Sequence, residues 1–231
     1  MTEKKITKQY FFSVEGQTEN WYLKWLQQVI NQEGNALYKV SLNCKSVSPI
    51  KRVKQISAIG RTIRITHVFD YEGRELEQRF LHTLEDMKKA ERLGKSIHYD
   101  LGYSNFTFEL WILLHKCECR RCLSHRRQYL NLINREYRTD FPSLSEYKEG
   151  ANFHRILEQL TLADVRKAVQ RSECMMQNYS QDHEVQQYRG YQYYRENPAL
   201  SIGEVIGRIL KECGVYIDSV KGCSQFQDFA E

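Results

Sequence analysis

The sequence has 231 residues, of which 41% are hydrophobic and 27% are charged, as in a typical globular protein. A chain of this length can bury roughly 70% of its unfolded surface, so a core can form without disulfide bonds. The 12 glycines and 3 prolines exclude collagen-like and Pro/Gly-rich chains, and seven cysteines, an odd number, argue against a secreted disulfide framework. No stretch approaches the ~20 apolar residues of a membrane helix, and the first residues lack a signal-peptide core. We therefore expect a cytoplasmic protein without a membrane segment.

The net charge of +5, with an isoelectric point near 8.7, is too small to indicate a nucleic-acid partner by itself. The distribution of the basic residues is more informative, because many of them fall between positions 116 and 138. They are Lys116, Arg120, Arg121, Arg126, Arg127, Arg135 and Arg138. This stretch is either a phosphate-facing surface or a solvated helix face.

The first half of the chain alternates between strand and helix patterns. Residues 7–14 are rich in aromatic side chains and predict a strand, and apolar residues at helical spacing after Thr18 predict a helix capped near that residue. The same patterns predict a strand at 37–43, a helix at 50–61, a strand at 63–69, a helix ended by Gly94, a strand at 96–101 and a helix over NFTFELWILLH. Such alternation predicts an α/β fold with a parallel sheet of about four strands flanked by helices.

The second half of the chain is predicted to be helical. Apolar residues at helical spacing mark four segments, the last of them opened by Ser201. No linker is evident, so we expect a core over 1–116 and, over 117–231, a C-terminal helical extension with a Cys-rich basic loop, packed on the core. The tyrosines and arginines of YRGYQYYRENP, residues 188–198, would either contact nucleic acid or cover a helical surface.

Three acidic residues follow predicted strands: Glu15 in VEGQTE, and Asp70 and Glu72 in FDYEG. The carboxyl ends of parallel strands meet at one edge of a sheet, so these residues can converge although they are distant in the sequence. Carboxylate oxygens suit Mg²⁺ or Mn²⁺, and a bound cation would offset their repulsion. The alternative is that each acid is solvated or caps a helix. We expect Glu19 to stabilise the first turn of its helix through the helix dipole.

The same residues resemble the motifs of a known family. VEG followed by TE is similar to the first Toprim motif, and VFDYEG resembles the second, which is usually D-x-D. SNFTFELWILLH and ENPALSIGEVIGRIL resemble segments of the RloB-like family, a bacterial Toprim group. The resemblance runs from about residue 8 to residue 210. It implies a Toprim-like Rossmannoid core that cuts phosphodiesters with bound metal.

Carried over by position, the resemblance implies Glu15, Asp70 and Glu72 as the metal and acid–base set, with Asn105 and Glu109 joining them. Independently, Glu109 is a carboxylate in a very apolar helix, which is costly to bury unless it is paired or metal-bound. The sequence departs from the family at Glu72, which stands where aspartate is usual. Phe106 also replaces the usual proline.

The segment HKCECRRCLSH, residues 115–125, begins at the end of the predicted helix over NFTFELWILLH and contains two histidines and three cysteines. Cys117, Cys119, Cys122 and His125 could form a structural zinc site, or the thiols could be reduced and unliganded. His115 could contact substrate, bind zinc or cap the helix. We expect Arg120 and Arg121 to contact the substrate, together with Asn105.

We therefore predict a Mg²⁺- or Mn²⁺-dependent Toprim endonuclease, with Glu15, Asp70, Glu72 and Glu109 as catalytic residues. The resemblance further implies a bacterial anti-phage effector that acts beside an AAA/ABC-type ATPase, on RNA such as tRNA or on DNA. A monomer and an oligomer are both compatible with the sequence. The alternative is a non-catalytic module of the same fold that binds nucleic acid or the ATPase.

Overall fold

The computed structural model describes residues 5–57, 62–93, 96–119 and 123–216. Its centre is a sheet of four parallel strands in the order β2-β1-β3-β4. The strands are β1 (Thr7–Val14), β2 (Lys39–Lys45), β3 (Ile63–Tyr71) and β4 (Ile97–Asn105). The predicted α/β fold with a four-stranded parallel sheet, flanking helices and a C-terminal helical segment is confirmed.

The helices of the first half lie on both faces of this sheet. They are α1 (Gln17–Gln32), α2 (Pro49–Lys54), α3 (Glu77–Glu91), which follows a 3₁₀ turn at Arg74–Leu76, and α4 (Glu109–Leu114). Helices α1 and α4 share one core with Phe12, Val14 and Val68, whereas α2 and α3 share another with Ile65 and Phe69. The two faces alternate because successive side chains of a strand point to opposite sides.

The second half of the chain is mainly helical, and most of its buried residues pack in the same core as α1 and α4. Its elements are α5 (Arg127–Tyr137), α6 (Leu144–Tyr147), α7 (Gly150–Leu157), α8 (Leu162–Asp182), β5 (Gln186–Tyr188), β6 (Tyr191–Tyr193) and α9 (Ile202–Glu212). The division of the chain near residue 116 stays a prediction.

Helices α8 and α9 approach closely because α9 carries glycine at the contact. A Cβ atom placed on Gly203 would lie 2.1 Å from Ser172 Oγ, and one placed on Gly207 would lie 2.9 Å from a methyl carbon of Val169. Larger residues at these two positions would force the helices apart.

The tyrosine-rich stretch forms a β-hairpin, which the sequence analysis did not predict. Arg189 and Gly190 both have positive φ, as the two central residues of a tight hairpin turn require. Tyr188 donates to Glu85 at 2.5 Å and Tyr193 to Glu77 at 3.0 Å, and both acceptors lie on α3. The tyrosines therefore cover a helical surface, which was one of the two alternatives.

Several predicted boundaries were wrong. The helix expected at 50–61 ends at Lys54, and residues 58–61 and Gly94 lie outside the described residues. Strand β4 runs on to Asn105, which therefore cannot begin the next helix, and the backbone N–H of Asn105 instead bonds to Ala199 O. Helix α1 begins after Gly16, and Thr18 makes no capping bond to the backbone, because its hydroxyl donates to Glu19.

Among the described residues, none of the helices combines the length and the apolar character required to span a membrane.

Candidate active site

The acidic residues gather at the carboxyl edge of the sheet, where β1, β3 and β4 lie side by side. Val14 lies opposite Val68 across β1 and β3, so Glu15, the next residue, and Asp70, two residues further along β3, lie at the same edge of adjacent strands. Asp70 is the penultimate residue of β3 and lies opposite Ser104 of β4. Side chains two residues apart on a strand point to the same face of the sheet. Asp70 is therefore on the same face as Val68, which packs in the core with α1 and α4.

Two more carboxylates approach Asp70 from those helices. Glu19 is in the first turn of α1 and is 5% exposed, and Glu109 begins α4 and is fully buried. A cation reaches them from the second half of the chain, because Lys148, just after α6, places Nζ 3.2 Å from Glu109 Oε1. We call Glu19, Asp70, Glu109 and Lys148 the inner cluster.

Local sequence explains how two of these side chains are held. A Cβ atom on Gly16 would lie 2.6 Å from Glu19 Oε2, so the carboxylate of Glu19 lies back over the loop where only glycine leaves room. Thr107 donates its hydroxyl hydrogen to Glu109 Oε2 from the turn between β4 and α4. Thr18 donates to Glu19 Oε2 at 3.1 Å.

The pKa values show that the inner cluster is electrostatically strained. Burial raises the pKa of Asp70 well above its ordinary value, and the charges of Glu19 and Glu109 raise it further. Burial likewise raises the pKa of Glu19, against the opposing effect of Lys148. Burial alone would lower the pKa of Lys148, but Glu109, Asp70 and Glu19 raise it, so this lysine stays charged. The cluster is therefore one that an added cation would stabilise.

Glu15 and Glu72 form an outer layer that is paired with arginines. Arg79 of α3 forms ion pairs with Glu15 and with Glu72, the latter at 3.2 Å between Arg79 Nη1 and Glu72 Oε2. Arg126 Nη1 lies 2.8 Å from Glu72 Oε1. We call Glu15, Glu72, Arg79 and Arg126 the outer pairs. The negative charge of Glu72 also raises the pKa of Asp70, which links the outer pairs to the inner cluster.

Two predicted substrate-binding residues lie inside the protein. Asn105 is fully buried, and its amide nitrogen donates to Tyr194 O and Glu196 O at 3.0 and 2.7 Å. His115 is 1% exposed, and its ring nitrogens lie 3.0 Å from the Tyr22 hydroxyl and 2.9 Å from Trp111 O. Burial lowers the pKa of His115 to about 4. These contacts favour structural roles for both residues.

The predicted zinc ligands are described only in part. Burial raises the pKa of the Cys117 and Cys119 thiols to about 11 and 12, so they are protonated near neutral pH unless a metal binds. His125 is exposed and accepts a hydrogen bond from Arg127 N through Nδ1. Cys122, Arg120 and Arg121 lie outside the described residues. The zinc site and the substrate contacts of these arginines stay predictions.

The carboxylate oxygens at the sheet edge are chemically suitable ligands for a hard cation. Within the described residues, no three His, Cys, Asp or Glu side chains converge tightly enough to hold a metal ion in this arrangement. The inner cluster nevertheless brings three carboxylates together, and burial and the neighbouring negative charges raise the pKa of Glu19 and of Asp70, an effect that a bound divalent cation would offset. Oxygen ligands of this kind fit Mg²⁺ or Mn²⁺.

Sequence reasoning missed Lys148, Arg79 and the site role of Glu19. For Glu19 a signal was present, since it is four residues after Glu15 and three after Gly16, but the helix dipole explained it equally well. For Lys148 and Arg79 no signal exists in a single sequence, because each is one of many charged residues on helical segments.

Comparison with known proteins gives one match. A family model described as "RloB-like protein" matches residues 10–209. No curated protein and no solved structure matches this chain.

Proposed function

The chain belongs to the RloB-like family, and from this premise and the carboxylates at the sheet edge we propose that it is a metal-dependent nuclease. The observation that carries the proposal is the inner cluster, in which Glu19 and Glu109 are buried beside Asp70. Burying carboxylates together destabilises a fold unless they are neutralised, so such a cluster is rarely kept for packing alone.

The charge balance supports a divalent cation. The inner cluster and the outer pairs together hold five carboxylates and three cationic side chains, which leaves two negative charges uncompensated when all are ionised. One Mg²⁺ or Mn²⁺ ion would neutralise this excess. We propose Glu19, Asp70 and Glu109 as the residues that hold it, with Glu15 and Glu72 beside them.

A metal bound there would polarise the phosphodiester and lower the pKa of a bound water. Lys148 remains protonated, so its ammonium can stabilise negative charge that develops on the phosphate. Glu15 is the carboxylate best placed to exchange protons with solvent, since its side chain is 39% exposed.

We propose RNA, including tRNA, as the first substrate to test, with DNA as the alternative. Membership of the RloB-like family supports a role as the effector of a bacterial anti-phage system beside an AAA/ABC-type ATPase, by analogy with what the resemblance implies. An effector of this kind would have low activity until its partner releases it.

One observation favours a second candidate, a non-catalytic binding module. Glu15 and Glu72 are both engaged by arginines, and Glu72 is longer than the aspartate usual at its position in Toprim motifs. In that case the fold would bind nucleic acid or the ATPase without cutting.

Cleavage of end-labelled RNA and single-stranded DNA in Mn²⁺ separates the two candidates. Asp70→Asn should abolish cleavage, whereas Glu75→Gln, which alters an exposed acid of the nearby 3₁₀ turn, should not. In cells, toxicity on expression should be lost in Glu15→Ala and Asp70→Ala at matched protein levels. Toxicity that survives both substitutions would remove catalysis as its cause and favour the binding module.

A further inference from the structure

Two arginines cover the outer carboxylates from separate elements. Arg79 comes from α3 and spans Glu15 and Glu72, and Arg126, just before α5, holds the other oxygen of Glu72. Together the two guanidinium groups engage both oxygens of Glu72. The arginine side chains are 62% and 55% exposed, so each guanidinium is open to solvent while it is paired.

Exposed ion pairs of this kind stabilise a protein little, and their partners exchange readily. Guanidinium binds phosphate with the same forked geometry as carboxylate, and a backbone phosphodiester carries one negative charge, as a carboxylate does, so it can take the place of the carboxylate. The two arginines lie directly beside the carboxylates to which a scissile phosphate must come. Among the described residues, these two arginines are paired with Glu15 and Glu72, so a backbone that approaches these carboxylates would meet them.

We propose that Arg79 and Arg126 are the phosphate-binding residues of this site and that in the free protein they are held by Glu15 and Glu72. Binding of a nucleic-acid backbone moves the guanidiniums from the carboxylates to phosphates and frees Glu15 and Glu72 for the divalent cation. This inference rests on the proposed nuclease function. The transfer of the guanidiniums from carboxylates to phosphates makes nucleic-acid binding and metal binding strengthen each other, since coupling between two ligands is reciprocal.

The inference predicts opposite effects on two ligands from one substitution. Removing both arginines takes away the groups that compete with the metal for Glu15 and Glu72, so metal affinity should rise. The same change removes two phosphate contacts, so nucleic-acid affinity should fall. If the arginines formed only ordinary surface ion pairs, neither the metal affinity nor the nucleic-acid affinity would change in this way. Arg74, which pairs with Glu196 at 2.8 Å and is 73% exposed, provides the matched control.

The test measures both affinities without relying on cleavage. Mn²⁺ binding is followed by electron paramagnetic resonance of the free ion in the absence of nucleic acid. Binding of a fluorescein-labelled single-stranded RNA 12-mer is followed by anisotropy in EDTA over a range of salt concentrations. The proteins are the wild type, Arg79→Ala/Arg126→Ala, Arg79→Lys/Arg126→Lys, Arg74→Ala and Asp70→Asn, each checked for folding by circular dichroism.

The double alanine variant should bind Mn²⁺ roughly threefold to tenfold more tightly, in keeping with the modest strength of exposed pairs. Its RNA affinity should fall, and the slope of log affinity against log salt should decrease by about 1.4, because each phosphate contact on a single strand contributes about 0.7. The lysine variant should keep most of the salt slope. Arg74→Ala should match the wild type in both assays.

Three results would overturn the inference. If Mn²⁺ binds the wild type but not Asp70→Asn, and the double alanine variant binds it no more tightly, the arginines do not restrain the carboxylates while the proposed metal site stands. If RNA affinity and its salt slope are unchanged in the double alanine variant, the arginines do not bind phosphate. If neither the wild type nor any variant binds Mn²⁺, the proposed function fails and the inference fails with it.

Discussion

Lys148 Nζ lies 3.2 Å from Glu109 Oε1, and this contact joins the helical second half of the chain to the carboxyl edge of the sheet. Glu109 is fully buried and accepts a hydrogen bond from Thr107, but the cation paired with it among the described residues comes from the second half of the chain. The lysine is positioned between α6 and α7, directly before Glu149 and Gly150. The charge balance of the site therefore depends on the packing of the extension.

Lys148→Met should destabilise the metal-free protein, because it leaves the charge of Glu109 buried without a cation. Breaking a buried pair costs about 3–5 kcal/mol, and we expect about 1–3 kcal/mol here, since the lysine side chain is 38% exposed and partly screened. Urea unfolding in EDTA measures the loss. The control is Lys211→Met, which alters an exposed pair with Glu173. Equal losses in the two variants would show that the contact with Glu109 carries no special energy.

The stability difference between Asp70→Asn and the wild type should grow with pH. The pKa of Asp70 is raised above its ordinary value of 3.8, so its favourable contribution is present below pH 3.8 and is lost as pH rises through the folded-state pKa. Asparagine does not titrate, so in EDTA the variant should become progressively more stable relative to the wild type between pH 4 and pH 8. Urea unfolding at a series of pH values tests this. A constant difference would mean that burial and the neighbouring carboxylates do not raise the pKa of Asp70.

Gly16→Ala should impair the site without unfolding the protein. The added Cβ would lie 2.6 Å from Glu19 Oε2, the end of a flexible side chain, so the backbone can remain while the carboxylate moves. We expect the stabilisation of the protein by Mn²⁺, measured as a shift in Tm, to be reduced, while Tm in EDTA changes by less than about 3 °C. Gly34→Ala is the control, since nothing lies within 4 Å of its added Cβ. An unchanged Mn²⁺ shift in Gly16→Ala would remove Glu19 from the metal-binding set.

Gly203→Ala should destabilise the packing of α8 on α9 by about 1–3 kcal/mol, the usual cost of overpacking. Its Cβ would meet Ser172 at Oγ and at Cβ, 2.1 and 2.7 Å away. Adding Ser172→Gly should recover part of the loss, because it removes both atoms, although a glycine inside α8 has its own cost. Unfolding in guanidinium chloride measures both variants. If the double variant is no more stable than Gly203→Ala, the contact with Ser172 is not the source of the strain.

The sheet could be predicted from the sequence because its strands are local patterns. The aromatic run of β1 is followed by Glu15 and the apolar run of β3 leads into Asp70 near the end of that strand, so these two acids could be assigned to one edge before any coordinates were known. The ends of elements were less predictable. Strand β4 continues to Asn105 because its last residues pair with β3 and with the segment around Ala199, which a local pattern cannot reveal.

The composition of the inner cluster could be predicted only in part. Glu109 stood out because a carboxylate in an apolar helix is unusual, whereas Glu19 is in a polar helix start, where acids are ordinary. Lys148 depends on how a helical segment far along the chain folds back, and nothing within its own neighbourhood indicates that. The hairpin was missed although its signal was present, since Arg189 and Gly190 separate Tyr188 at the end of β5 from the alternating Tyr191 and Tyr193 of β6.

The first and the last described residues both lie near the amino edge of the sheet, at the opposite end of the strands from the carboxylates. Lys5 Nζ donates to Gly34 O at 2.6 Å, and Leu37 N donates to Cys213 O at 2.8 Å, so both ends contact the loop between α1 and β2. This loop enters the amino end of β2, whereas Glu15 and Asp70 are at the carboxyl ends of β1 and β3. A fluorophore attached at position 5 or at position 216 would therefore leave the carboxylates accessible, and a pair of labels at these positions would report unfolding as an increase in their separation.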